Sequence, residues 1–126
     1  MDEGAEPARE RSAWDDSALV GQVPRPGPEG IALPAKRREH ILARHRHGAG
    51  WLGRTEFPAN WSGEKIAATV IDVARHPDTL PVLQDNGRWH VTGVRDGVTV
   101  TVVIEADGRI WTGYPRAGGP GVVKNR

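Results

Sequence analysis

The chain has 126 residues, no cysteine, 16 glycines, 10 prolines and 37% hydrophobic residues, and its 17 Lys and Arg against 16 Asp and Glu leave a formal charge of +1. That length supports one modest core, and the missing thiols exclude disulfides, cysteine nucleophiles and iron–sulfur clusters, so a metal site would need His and carboxylates. No stretch approaches the roughly 18 apolar residues of a membrane span, and the first residues lack the basic start and apolar run of a signal peptide, so a soluble segment with no membrane contact is expected.

Residues 1–30 read as an acidic, Pro/Gly-rich linker or tail. They hold seven acids and three arginines, contain few large apolar residues and finish in Val23-Pro24-Arg25-Pro26-Gly27-Pro28, too little to offset ordering entropy. Trp14 and Leu19 remain free to dock on the body. Residues 31–126 form the folded domain, with 14 bases against nine acids. A basic body behind an acidic lead favours a polyanionic partner, and the lead is placed to cover the basic cleft.

The run 35–43 predicts a helix that ends near Arg44, with Ala35, Leu42 and Ala43 on one side and Lys36, Arg37 and Arg38 exposed. Gly48, Gly50 and Gly53 then make a loop carrying Trp51, followed by a brief strand over 55–58. Ser62 is an N-cap for a helix in which Ile66, Val70, Val73 and Ala74 recur until His76-Pro77 stops it. The period then changes. Stretches 88–94, 98–105 and 109–114 are separated by Asp96-Gly97 and Asp107-Gly108, two-residue hairpin signals. Val98, Val100, Val102 and Ile104 point one way, with Thr99 and Thr101 opposite, which predicts a three-stranded antiparallel meander with one buried face. The Gly118–Gly121 end reads as frayed. Helices followed by a sheet predict an α+β domain.

Three of the five histidines, His40, His45 and His47, lie within eight residues beside Lys36, Arg37, Arg38, Arg44 and Arg46. Two imidazoles among cations suit metal-free RNA cleavage. One takes the proton of a ribose 2′-hydroxyl, the other protonates the departing 5′-oxygen, and a cation steadies the charge on phosphorus. Histidine fits because its ordinary pKa, about 6.5, gives both protonation states near neutrality. A zinc site is the competing chemistry, but only Glu39 stands near to complete a ligand set. A solvated helix face with incidental histidines is the bland alternative. His76 reads as a helix-end residue and His90 as structural. The tryptophans read as core or interface, except that Trp51 is placed to stack on a base.

Five pieces in order carry a resemblance. They are Glu39-His40-Ile41-Leu42, His45-Arg46-His47-Gly48, Gly53-Arg54-Thr55-Glu56-Phe57-Pro58, Trp61-Ser62 before a helix, and Gly108-Arg109-Ile110-Trp111-Thr112-Gly113-Tyr114-Pro115. Together, over roughly residues 36–116, they resemble the bacterial EndoU nuclease domain found at the ends of polymorphic and contact-dependent inhibition toxins. The resemblance implies a fold of the barnase, EndoU, colicin and RelE type, with N-terminal helices packed on an antiparallel sheet. It implies metal-independent or weakly metal-dependent RNA cleavage with no cofactor, with tRNA a common target. It also implies a secreted effector acting in the target-cell cytoplasm and a cognate immunity protein.

Carried onto this chain, the resemblance makes His40 the general acid and His45 the general base. The family's Gly-rich loop before its second histidine is nearly absent here, which leaves His47 as the rival. In a continued helix His40 and His47 would share a face, but the glycines and Arg44 favour a helix already ended. Thr112 and Tyr114 match the hydroxyl-x-Tyr-Pro element that contacts and orients the nucleotide. Lys65 with Thr69 matches a spacing of catalytic cation and base-selecting hydroxyl, while Arg54 stands where bacterial members carry lysine; either cation can serve. Arg46, His47, Arg54 and Thr69 are the remaining substrate contacts. A non-catalytic RNA-binding or adaptor module on the same fold is the alternative.

Overall fold

The computed structural model describes residues 12–16 and 26–126. Two helices, α1 (Ala35–His45) and α2 (Gly63–Arg75), accompany six strands: β1 (Thr55–Glu56), β2 (Val82–Leu83), β3 (Trp89–Arg95), β4 (Val98–Ile104), β5 (Ile110–Pro115) and β6 (Val123–Lys124). The fold is α+β. Strands β2-β3-β4-β5 form one antiparallel sheet and β1-β6 a second, two-stranded one.

Helix α2 forms as its sequence predicts. The Ser62 side chain accepts from the Lys65 backbone N–H at 3.0 Å, a cap worth about 1 kcal/mol. Its apolar stripe, Ile66, Val70, Val73 and Ala74, is fully buried, and the helix stops at Arg75 before His76-Pro77. Val73 and Val70 lie against Gly93 of β3 and Gly113 of β5, where a Cβ would stand 3.0–3.3 Å from the valine methyls. Glycine at both positions lets the helix sit close on the sheet. Residues of that parity, Val91, Val100 and Val102 with Gly93 and Gly113, therefore face α2, and Thr101, Thr112 and Tyr114 face the other way.

The Asp96-Gly97 hairpin joins β3 to β4 with both central residues at positive φ, 52° and 79°, the two-residue turn whose twist matches its strands. Four expectations need correcting. The sheet has four strands rather than three, because Val82–Leu83 adds to the edge of β3. The middle strand is buried on both faces, since Thr101 and Val103 are covered as well as the valines opposite. The Gly118–Gly121 stretch is a turn that delivers β6 to β1, with Thr55 opposite Lys124 and Glu56 opposite Val123. Of the Lys36-Arg37-Arg38 cluster, Arg37 is half-buried.

Part of the lead segment belongs to the core. Trp14 is fully buried, donates its indole N–H to the Ala74 carbonyl at 2.8 Å and meets Trp89 edge-on at 5.3 Å. Ser12 donates to the Arg75 carbonyl at 2.7 Å, so residues 12–14 close over the end of α2. The acids Asp2, Glu3, Glu6 and Glu10, expected to reach the cleft, and Leu19 lie outside the described residues. Among the described residues no helix is long and apolar enough to cross a membrane.

Candidate active site: a cationic groove with two histidines

Helix α1 has no acidic residue in its first turn and displays two stripes. Arg37, His40 and Arg44 follow the i, i+3, i+7 rhythm of one face, and Ile41 and His45 the i, i+4 rhythm of another. The second stripe is buried, with Ile41 1% and His45 6% exposed. The first stripe lines a groove of about 750 Å³ closed on its other sides by Gly53–Thr55, Thr101, Trp111, Thr112, Tyr114–Ala117 and Lys124. Five cations line it, Arg37, Arg44, Arg54, Arg116 and Lys124, and among the described residues no Asp or Glu does.

His45 ends α1 and is tied twice to the segment after it. Its carbonyl accepts from the Phe57 N–H at 2.7 Å, and its ring Nδ1 lies 2.7 Å from the Thr55 carbonyl oxygen. A carbonyl can only accept, so Nδ1 carries the proton and donates, and Nε2 of the neutral ring keeps its lone pair. The ring stands 5.7 Å from that of Tyr114, tilted by 32°. Burial pushes the His45 pKa below the ordinary histidine value; the Thr55 hydrogen bond opposes this, and the charges of Arg54, His40 and Arg44 add to it. His40 is lowered too, by burial first and then by Arg37, Arg44 and Arg54. Shared neighbours thus act on both rings.

A bulge shapes the far wall. Val103 pairs with Thr112 and Ile104 with Ile110, so Trp111 is an extra residue in β5, and such insertions re-aim side chains. Trp111, Thr112 and Tyr114 all line the groove in consequence. Arg37 donates from Nε to the Trp111 carbonyl at 2.7 Å and lays its guanidinium 3.8 Å from the centre of the indole.

Glu56, 3% exposed, holds the loop after α1. It accepts from the Gly48 N–H at 2.9 Å, the Gly50 N–H at 2.6 Å and the Asn125 amide at 2.8 Å. Asn125 leads in keeping its carboxyl below the ordinary range, ahead of the opposing effect of burial. The frayed end expected from the glycines is instead a strut for the groove.

Of the residues singled out by sequence, His40, His45, Arg54, Thr112 and Tyr114 meet in this groove. Four others do not line it. Lys65 pairs with Asp96 at 2.5 Å, lies over Trp61 and lines a separate hollow with Pro58, Asn60, Val98, Pro120 and Gly121. Thr69 sits on α2, Arg46 extends past Gly63, and His47 is exposed beyond the end of α1, beside Glu56. Helix α1 ends at His45, so the face that His40 and His47 would share in a longer helix never forms. Arg37 and Arg44, read only as part of the basic cluster, and Glu56 and Trp111, read only as parts of the resembling pieces, gain a place in the site here, together with Arg116 and Lys124. The 37/40/44 spacing is a usable signal for the two arginines; nothing in the sequence marks Arg116 and Lys124. Among the described residues no three His, Asp or Glu gather into a metal-ligand set.

The lowered histidines have a consequence for stability. Between the ordinary value near 6.5 and their lower folded values, the unfolded chain binds protons that the native chain does not, so stability rises with pH there and is lost on acidification. His90 is lowered by burial as well. The melting temperature is therefore expected to fall as pH drops from 7 to 5, above the range where Glu56 titrates. His45→Asn, which offers an amide near the Nδ1 position, should flatten that slope; thermal melts followed by circular dichroism check it, and an unchanged slope would contradict the assignment.

Residues 36–117 match the family model described as Bacterial EndoU nuclease. No curated protein and no solved structure matches the chain.

Proposed function

The chain belongs to the bacterial EndoU nuclease family, and from that premise we propose that it is a toxin-type endoribonuclease cutting RNA by metal-independent transesterification. His45 Nε2 takes the proton of the ribose 2′-hydroxyl, and the resulting oxygen attacks the adjacent phosphorus. His40, as imidazolium, gives its proton to the departing 5′-oxygen. The products are a 2′,3′-cyclic phosphate and a 5′-hydroxyl end. Arg54 takes the charge gathering on the phosphoryl oxygens, while Thr112 and Tyr114 hold the nucleotide. One observation carries this reading: an imidazole whose tautomer is fixed by Thr55 shares a groove with a second imidazole, and among the described residues that groove is lined by cations without a carboxylate.

Burial first, and then Arg37, Arg44 and Arg54, hold His40 low; a phosphate chain would neutralise the arginine share of that effect, which favours the charged acid. The target class is structured RNA such as tRNA. The setting is a secreted effector acting in the target-cell cytoplasm, restrained in its producer by an immunity protein. The test is to incubate total RNA with the purified chain in EDTA and map the termini. Cyclic-phosphate and 5′-hydroxyl ends are expected; salt-sensitive RNA binding without cleavage would instead leave the RNA-binding module.

A further inference from the structure

Resting on the endoribonuclease reading above, we propose that Trp51, held against Arg44 at the rim of the groove, is a stacking platform for a nucleobase flanking the scissile phosphodiester in an unpaired stretch of the RNA. Trp51 is 49% exposed and its neighbour Leu52 77%, an apolar pair left in water beside a cationic groove. The other four indoles are spoken for. Trp14, Trp61 and Trp89 are buried, and Trp111 has the guanidiniums of Arg37 and Arg88 over its ring at 3.8 and 4.0 Å.

Arg44 links the platform to the chemistry. Its guanidinium lies 4.3 Å from the centre of the Trp51 ring, lines the groove and is among the charges that lower both His40 and His45. The indole is thus one guanidinium away from the two histidines. Its loop is also fixed on both sides. Gly48 and Gly50 donate to buried Glu56, Gly53 donates to the Asn125 carbonyl at 2.9 Å, and Arg54 donates to the Trp51 carbonyl at 3.1 Å. A displayed ring on a pinned backbone loses little freedom when a base settles on it, and stacking on an aromatic face is open to every base.

The test is a cycle between protein and strand. The substrate is a DNA octamer with a single ribonucleotide, so that one linkage alone can be cut, and each flanking base is removed in turn. One abasic position is expected to raise KM for the parent by on the order of tenfold, the ordinary effect of a single stack. Trp51→Ala should raise it by the same factor and then be indifferent to that abasic position, while Trp51→Phe restores most of the loss. Equal abasic penalties in parent and Trp51→Ala at every position would overturn the proposal. The same cycle read as the Kd of an all-deoxy octamer needs no cleavage. Coupling there without cutting would leave the platform standing and remove the endoribonuclease reading, and cutting without coupling would do the reverse.

Discussion

His45→Ala is expected to lower kcat/KM for RNA cleavage by about 10²- to 10⁴-fold, the usual effect of removing one general acid or base, and His40→Ala by a similar factor. The double variant should be little worse than either, because the two rings serve one proton relay. His47→Ala should leave the rate nearly unchanged, since its side chain is outside the groove. The pH profile carries the assignment further. With both pKa values below the ordinary 6.5, the neutral base is available above its lowered value and the protonated acid is lost above its own. Both limbs of kcat/KM for the free protein therefore lie on the acid side of neutrality, and the rate falls from pH 6.5 to 8. The limbs belong to the coupled pair rather than to single residues. Loss of the falling limb in His40→Ala identifies the acid, and a His45→Ala variant retaining more than about a tenth of parental activity would sink the base assignment.

How far the sequence discloses this molecule depends on how local each determinant is. Ser62, the Ile66-Val70-Val73-Ala74 stripe and Asp96-Gly97 act within a turn or two of themselves, and they form as read. Two features are settled by partners far along the chain. Trp14 sits in an acidic segment with no apolar period, and it finds the Ala74 carbonyl and the Trp89 ring, a docking that composition left open and burial decides. Strand β6 is two residues long and follows three glycines and a proline, a stretch whose order comes from pairing with β1 and from Asn125 reaching Glu56. The groove divides the same way. The histidines and the Thr112/Tyr114 pair are legible as motifs, whereas Trp111 enters by a bulge that no periodicity announces. Lys65 shows the limit of spacing: it stands at the right interval from Thr69, on a helix packed against the opposite face of the sheet.

The choice of cation follows from that last difference. Arg54→Ala is expected to reduce kcat by about 10²- to 10³-fold, the range for removing one preorganised donor to a developing oxyanion. Lys65→Ala should cost activity little, because its ammonium is committed to Asp96 and an exposed pair of this kind is worth at most about 1 kcal/mol of stability. Arg54 is well placed to act. Its N–H bonds the Trp51 carbonyl and its carbonyl accepts from Asn125 at 3.0 Å, which fixes the backbone from which the side chain enters the groove. Arg54→Lys keeps the charge but not the forked geometry, so it should recover part of the rate. A second readout separates a role at the phosphate from mere support of the loop. Arg54 is one of the charges that lower His40 and His45, so removing it raises both pKa values and moves the limbs of the kcat/KM profile toward neutrality, with the residual activity peaking at higher pH. A loss of rate with no such movement would mean that Arg54 acts through the fold alone, and an equal loss in Lys65→Ala would require its pair with Asp96 to open during turnover.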